Sequence, residues 1–178
     1  MLHRMFRTAP FKKSRAHLLS GITEITEDDR KWLYSELEDY LKDDSVQSMA
    51  GFIQHGNVTT LQHSLRVAEA SLALDRALGS RSDRHTLAVS ALLHDYYLYD
   101  WHGRSLKYCN HGFTHPEAAM QNAVRHFNVS KDIRDAIRTH MWPLTLLHIP
   151  KSREAAILCA ADKYCSLTET LFCRKRKG

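Results

Sequence analysis

Apolar residues recur along this chain at intervals of three and four, and the polar residues between them fall on the other side of a 3.6-residue turn, so the pattern predicts helices almost throughout. Thr26-x-x-Asp29 opens a segment in which Trp32, Leu33, Leu37, Tyr40 and Leu41 keep that spacing, an amphipathic first helix. Leu61, Leu65, Ala68 and Leu72 mark the next long helix, stopped near Gly79. Ser82 is placed to cap a helix that runs through Leu92 and Leu93 to the dipeptide His94-Asp95. Thr114-x-x-Glu117 has the spacing of a capping box, with Pro116 suited to a first turn. Ser130 opens a short helix through Ile133 and Ile137 that Pro143 ends, and a last helix is expected from Ser152 to Phe172. No alternating strand, repeat or low-complexity core is visible. The predicted fold is all-α, a single compact helical bundle.

Composition changes this picture little. The 178 residues, 43% hydrophobic and 25% charged, suffice for one domain with a sizeable core. No apolar stretch is long enough to span a bilayer, so a soluble protein without a membrane partner is expected. Cys109, Cys159, Cys165 and Cys173 form no CxxC pair and read as reduced cytosolic thiols.

The net charge of +5 is unevenly distributed. Nine of the 25 cations lie in residues 1–20 and 174–177, which hold no acid; 16 cations then face 20 acids, a formal charge of −4 for residues 21–173. We therefore divide the chain into a basic N-terminal arm (1–20), one folded domain (21–173) and a basic C-terminal tail (174–178). The folded part is not basic, so no nucleic-acid partner is expected. The acid-free start has the composition of a transit peptide but lacks the apolar core of a secretory signal, and the expected location is cytoplasmic.

Chemistry enters where polar residues interrupt apolar runs. His94-Asp95 follows AVSALL, Asp162 follows AAILCAA, and His140 continues the helical row of Ile133 and Ile137. An ionised aspartate at the end of such a run needs a partner, and a metal ion satisfies it. With His63 and His115 these residues make a set of imidazoles and carboxylates, the donors that bind borderline and hard divalent metals.

The order H...HD...H...H...D, carried by TLQHSLRVAEAS, ALLHDYYLYDWH, HGFTHPEAA, IRTHMWPL and ILCAADKYCS, resembles the HD-domain superfamily of metal-dependent phosphohydrolases over residues 51–170. The resemblance implies a helical HD-domain bundle. It also implies a first metal held by His63, His94, Asp95 and Asp162, and a second that shares Asp95 and adds His115 and His140. Members with both middle histidines resemble the dinuclear type. Two divalent ions against two aspartates leave a positive site that favours phosphate, with water activated to hydroxide as nucleophile and Asp95 at its centre. Iron, manganese or another transition metal is expected, with magnesium also admissible. The implied activity is hydrolysis of a nucleotide or other small phosphate ester.

One position departs from the family. A lysine often stands three residues after the aspartate, and here that residue is Leu98. Arg104 and Lys107 in the following loop, and Lys163 beside Asp162, are the candidate phosphate contacts. His55, His102 and His111 are further candidates to line the pocket, His111 competing with His115 for the third-histidine place. Tyr96, Tyr97, Tyr99, Trp101 and Trp142 either stack a nucleobase or pack the core. Two other classes fit the same residues: a regulatory HD module that binds metal or nucleotide without turnover, and an HD-fold di-iron oxygenase.

Overall fold

The computed structural model describes residues 24–101 and 110–172. Among them are eight α-helices: α1 (Glu27–Glu36), α2 (Glu38–Lys42), α3 (Asp44–Ser48), α4 (Thr60–Ala77), α5 (Arg84–Leu93), α6 (His111–Phe127), α7 (Lys131–Thr139) and α8 (Arg153–Phe172). The predicted all-α bundle is what the chain forms. Its centre is α4, the helix of Leu61, Leu65, Ala68 and Leu72, which packs along both α5 and α8, while α7 is wedged between α5, α6 and α8. One core joins them, with Leu33, Leu37, Leu87, Leu92, Leu93, Ile137 and Leu158 fully buried.

Local chemistry sets the helix ends. Thr26 caps α1 by accepting from Asp29 N at 3.2 Å. Thr59 and Gln62 form a reciprocal capping box at the start of α4, and Gly79, at φ +97°, takes the left-handed conformation just past its end. Ser130 caps α7, accepting from Ile133 N at 3.3 Å.

Three expectations are corrected. The cap of α5 is Asp83, whose carboxylate accepts from Thr86 N at 2.7 Å; the Ser82 hydroxyl instead donates to Asp75 at 2.7 Å. A carboxylate one residue further on is the stronger acceptor for an amide at a helix N-terminus. Helix α6 begins at His111, so Thr114 and Pro116 lie within it and no capping box forms there; the Thr114 hydroxyl donates back to Asn110 O at 3.1 Å. The chain also forms a small antiparallel hairpin, β1 (Ile53–His55) with β2 (Val58–Thr59), turning at Gly56 with φ +61°. Strands of three and two residues are too short to show an alternation of period two.

The hairpin matters because it packs against α4 and α8 and so carries Gln54 and His55 to the end of the bundle where the histidines gather. After α7 the chain exposes Trp142, Leu144, Leu146, Leu147 and Ile149. No helix among the described residues is long and apolar enough to cross a membrane.

Candidate metal centre

Five helices deliver the six candidate ligands. His63 lies in the first turn of α4 and His115 on the inner face of α6. Asp162 comes from the middle of α8. His94 is the C-cap of α5 with Asp95 just beyond it, and His140 is the C-cap of α7. All six are buried, His63 and His94 completely. Helix ends supply three of them because a C-cap residue still follows the helical path of its core face while its side chain projects past the last turn.

The donor atoms form two groups that share Asp95. In the first, His63 Nε2 lies 3.2 Å from Asp162 Oδ1 and 3.8 Å from Asp95 Oδ2, while His94 Nε2 lies 3.3 Å from Asp95 Oδ2 and 3.7 Å from Asp162 Oδ1. In the second, His115 Nε2 and His140 Nε2 lie 3.2 and 3.7 Å from the other oxygen, Asp95 Oδ1, and 2.9 Å from each other. The Asp95 carboxylate thus turns one oxygen to each group. His63, His94 and Asp95, and separately Asp95, His115 and His140, have the mutual spacing of a metal-ion site.

Hydrogen bonding on the far side of each ring fixes which nitrogen faces inward. Nδ1 of His94, His115 and His140 donates to the carbonyls of Ala91, His111 and Ile137 at 2.8, 2.9 and 2.6 Å. A carbonyl only accepts, so Nδ1 carries a proton and Nε2, facing the centre, is the nitrogen whose lone pair the neutral form of the ring offers. His63 does the same through a carboxylate, Nδ1 donating to Glu169 Oε2 at 2.8 Å, and Arg66 holds the other Glu169 oxygen at 3.1 Å.

This donor set fits a cation. His94 Nε2 and Asp95 Oδ1 are buried without a hydrogen-bond partner, and the His115 and His140 lone pairs face each other at 2.9 Å. Such an arrangement is costly unless a proton or a metal ion lies between. Ligands bound cis to one ion at about 2.1 Å are about 3 Å apart, close to these separations.

Without a metal, protons take over its charge. Burial opposes charge on His63, but Asp162 and Glu169 outweigh it and raise its pKa to about 9. His94 is likewise raised well above the ordinary histidine value, because Asp95 and Asp162 overcome its burial. Despite burial, Asp95 is held well below the carboxylate range chiefly by His94, and Asp162 by His63 and His94. His140 goes the other way, down to about 3, through burial and the neighbouring His94 and His115.

The remaining candidates divide. Lys163 lies at the edge of the centre, its Nζ donating to His140 O at 2.8 Å and standing 4.0 Å from Asp162 Oδ2, with its side chain 41% exposed. His55 borders the site: its ring meets His63 edge-on with centroids 5.5 Å apart, and its Nε2 is 3.2 Å from the Ser166 hydroxyl, which donates to Asp162 Oδ1 at 3.2 Å. His111 stacks flat between Trp101 and His115, its Nδ1 3.1 Å from the Tyr99 hydroxyl, so the inward place belongs to His115. Tyr96 is a packing residue, fully buried with its hydroxyl 2.6 Å from His126 Nδ1. Leu98 packs against the core at φ +58°. His102, Arg104 and Lys107, and the thiols Cys109 and Cys173, lie outside the described residues.

Two buried residues escaped the sequence reading. Glu169 stands seven positions after Asp162, two helical turns along the same face of α8, and that spacing was the available signal. Gln54 Nε2 donates to Asp95 Oδ2 at 2.5 Å, and nothing in the sequence marks it.

The model of one family, described as HD domain, matches residues 60–167, more than half of the chain. No curated protein and no solved structure matches it significantly. The matched span runs from the first residue of α4 to within α8 and contains all six candidate ligands. The chain belongs to the HD-domain family.

Proposed function

We propose that this HD-domain protein is a phosphohydrolase that works with two divalent metal ions on a nucleotide or other small phosphate ester. The observation that carries the proposal is the division of Asp95, one oxygen toward His63 and His94 and the other toward His115 and His140. A lone structural ion does not need two separate donor groups around one carboxylate. His63, His94, Asp95 and Asp162 would hold one ion, and Asp95, His115 and His140 the other. When bound, such a pair lowers the pKa of water and stabilises the charge that develops on a phosphoryl group during in-line displacement. The histidine-rich set favours iron, manganese or another borderline transition metal over magnesium.

The protein's own contribution is orientation and charge. The three backbone carbonyls and Glu169 keep every Nε2 aimed inward, and Arg66 neutralises Glu169 so that the site keeps its affinity for anions. Lys163, whose Nζ stands 4.0 Å from Asp162 Oδ2, would contact phosphate in the role that Leu98 leaves open. Arg104 and Lys107 remain candidates for the same role on sequence grounds.

Elemental analysis of natively purified protein, followed by a screen of nucleotides and small phosphate esters with each metal restored, tests the proposal. Hydrolysis that stops with chelator and returns with metal supports it; no turnover with any metal favours a binding module. Oxygen consumption in place of phosphate release identifies oxygenase chemistry. Lys163→Ala should lower kcat/KM about tenfold to a hundredfold, the loss of one charge-assisted contact of about 1.5 to 3 kcal/mol, while metal content stays at the wild-type level.

A further inference from the structure

The bridging carboxylate is held unevenly. Asp95 Oδ2 receives the amide of Gln54 at 2.5 Å, whereas Oδ1 is buried without a hydrogen-bond partner. Gln54 is itself 7% exposed and locked from behind. Its carbonyl Oε1 accepts from the Tyr97 hydroxyl at 2.5 Å and from the Thr60 hydroxyl at 3.4 Å, and Thr60 and Tyr97 lie 3.2 Å apart. Burial raises the Tyr97 pKa, so its phenol stays protonated and donates. A carboxylate only accepts, so the amide nitrogen faces Asp95 and Oε1 faces the two hydroxyls, which settles the orientation of the side chain.

This places a fixed donor on one oxygen of a carboxylate that must serve two positions. A carboxylate beside two cationic sites has two stable arrangements: one oxygen to each, or both oxygens on the better-equipped one. The first group already has His63, His94 and Asp162; the second has only His115 and His140 besides Asp95. Unrestrained, the carboxylate would turn toward chelation in the first group. A hydrogen bond to Oδ2 alone occupies a lone pair there and pins the rotation about the Cβ–Cγ bond, so that Oδ1 stays pointed at His115 and His140.

Resting on the two-ion reading above, we propose that Gln54, oriented by Tyr97 and Thr60, is the positioning residue that keeps Asp95 a bridge and thereby secures the second ion. It touches neither substrate nor ion; it acts through Asp95. Its loss therefore falls on one ion rather than on both.

The test is equilibrium dialysis of the full chain against graded Mn²⁺, with bound ions counted by elemental analysis and their magnetic coupling followed by electron paramagnetic resonance. The chains compared are wild type, Gln54→Met, which keeps the length of the side chain without its amide, and Tyr97→Phe. Wild type is expected to take two coupled ions. Gln54→Met should keep the first with unchanged affinity, which also shows that it folds, and weaken the second about ten- to a hundredfold with loss of the coupled signal. Tyr97→Phe should give a smaller loss confined to the second ion. Equal weakening of both ions in Gln54→Met, or unchanged binding of both, overturns the inference while leaving the two-ion reading intact. A single ion in wild type removes that reading and the inference with it.

Discussion

The candidate ligands depend on hydrogen bonds made behind them, and Glu169 is the clearest case because it is charged and buried and ties His63 to Arg66. Glu169→Gln removes the carboxylate while keeping its shape. Metal affinity should fall about tenfold to a hundredfold, measured by competition with a chromophoric chelator, with the helical circular dichroism unchanged. The His63 ring gives a pH signature as well. In the metal-free protein its pKa lies near 9, above its ordinary value of 6.5, so its contribution to stability is complete below about 6.5 and is lost as the pH rises through 9. Metal competes with that proton. Between these limits the melting temperature of the metal-free protein should fall with rising pH, while the increase produced by saturating Mn²⁺ should grow; a metal-induced increase that shrinks over this range would contradict the assignment of His63 as a ligand. His94, Asp95, His140 and Asp162 stood out in the sequence because a histidine or aspartate interrupting an apolar run is chemically conspicuous, and His63 and His115 joined them through the ordered pattern of the family resemblance. Gln54 was not, because its role depends on a through-space contact 41 residues away, between residue types that are ordinary in any hairpin.

Among the elements, α4 is the one on which the others depend. It supplies His63, Thr60 and Arg66 and packs on α5 and α8, the helices that carry His94 and Asp162. Helix α1 lies before the matched span of residues 60–167 yet packs on α4 and α5, and its Leu33 is fully buried. Leu33→Ala should therefore destabilise the whole domain by about 2 to 5 kcal/mol in urea unfolding, as for a core residue. A change of a few tenths would mean that α1 is an appendage. Helix positions followed readily from the spacing of Leu61, Leu65 and Leu72 and the stop at Gly79. Ends were harder: Ser82 and Asp83 are both competent caps, and only tertiary geometry, which gives Ser82 the Asp75 carboxylate as a partner, decides between them. The start of α6 was missed for a related reason. A good local capping sequence at Thr114 yields to the stacking of His111 between Trp101 and His115, which extends the helix by a turn.

At the scale of the whole molecule, five helices and a hairpin meet around a set of buried imidazoles and carboxylates whose mutual distances and unpartnered atoms suit cations. Family membership and the bundle were evident in the ordered histidines and aspartates, whereas the division of Asp95 between two groups exists only in three dimensions. That division sets how many ions the protein can hold, and metal content reads it out. Natively purified protein and its Asp95→Ala variant should be analysed for bound metal per chain after exhaustive dialysis against metal-free buffer. Two ions are expected in the wild type and loss of both in the variant, because each donor group would lose its shared oxygen. A wild-type content that stays at one ion in excess metal, or a variant that keeps both, would contradict the division of Asp95.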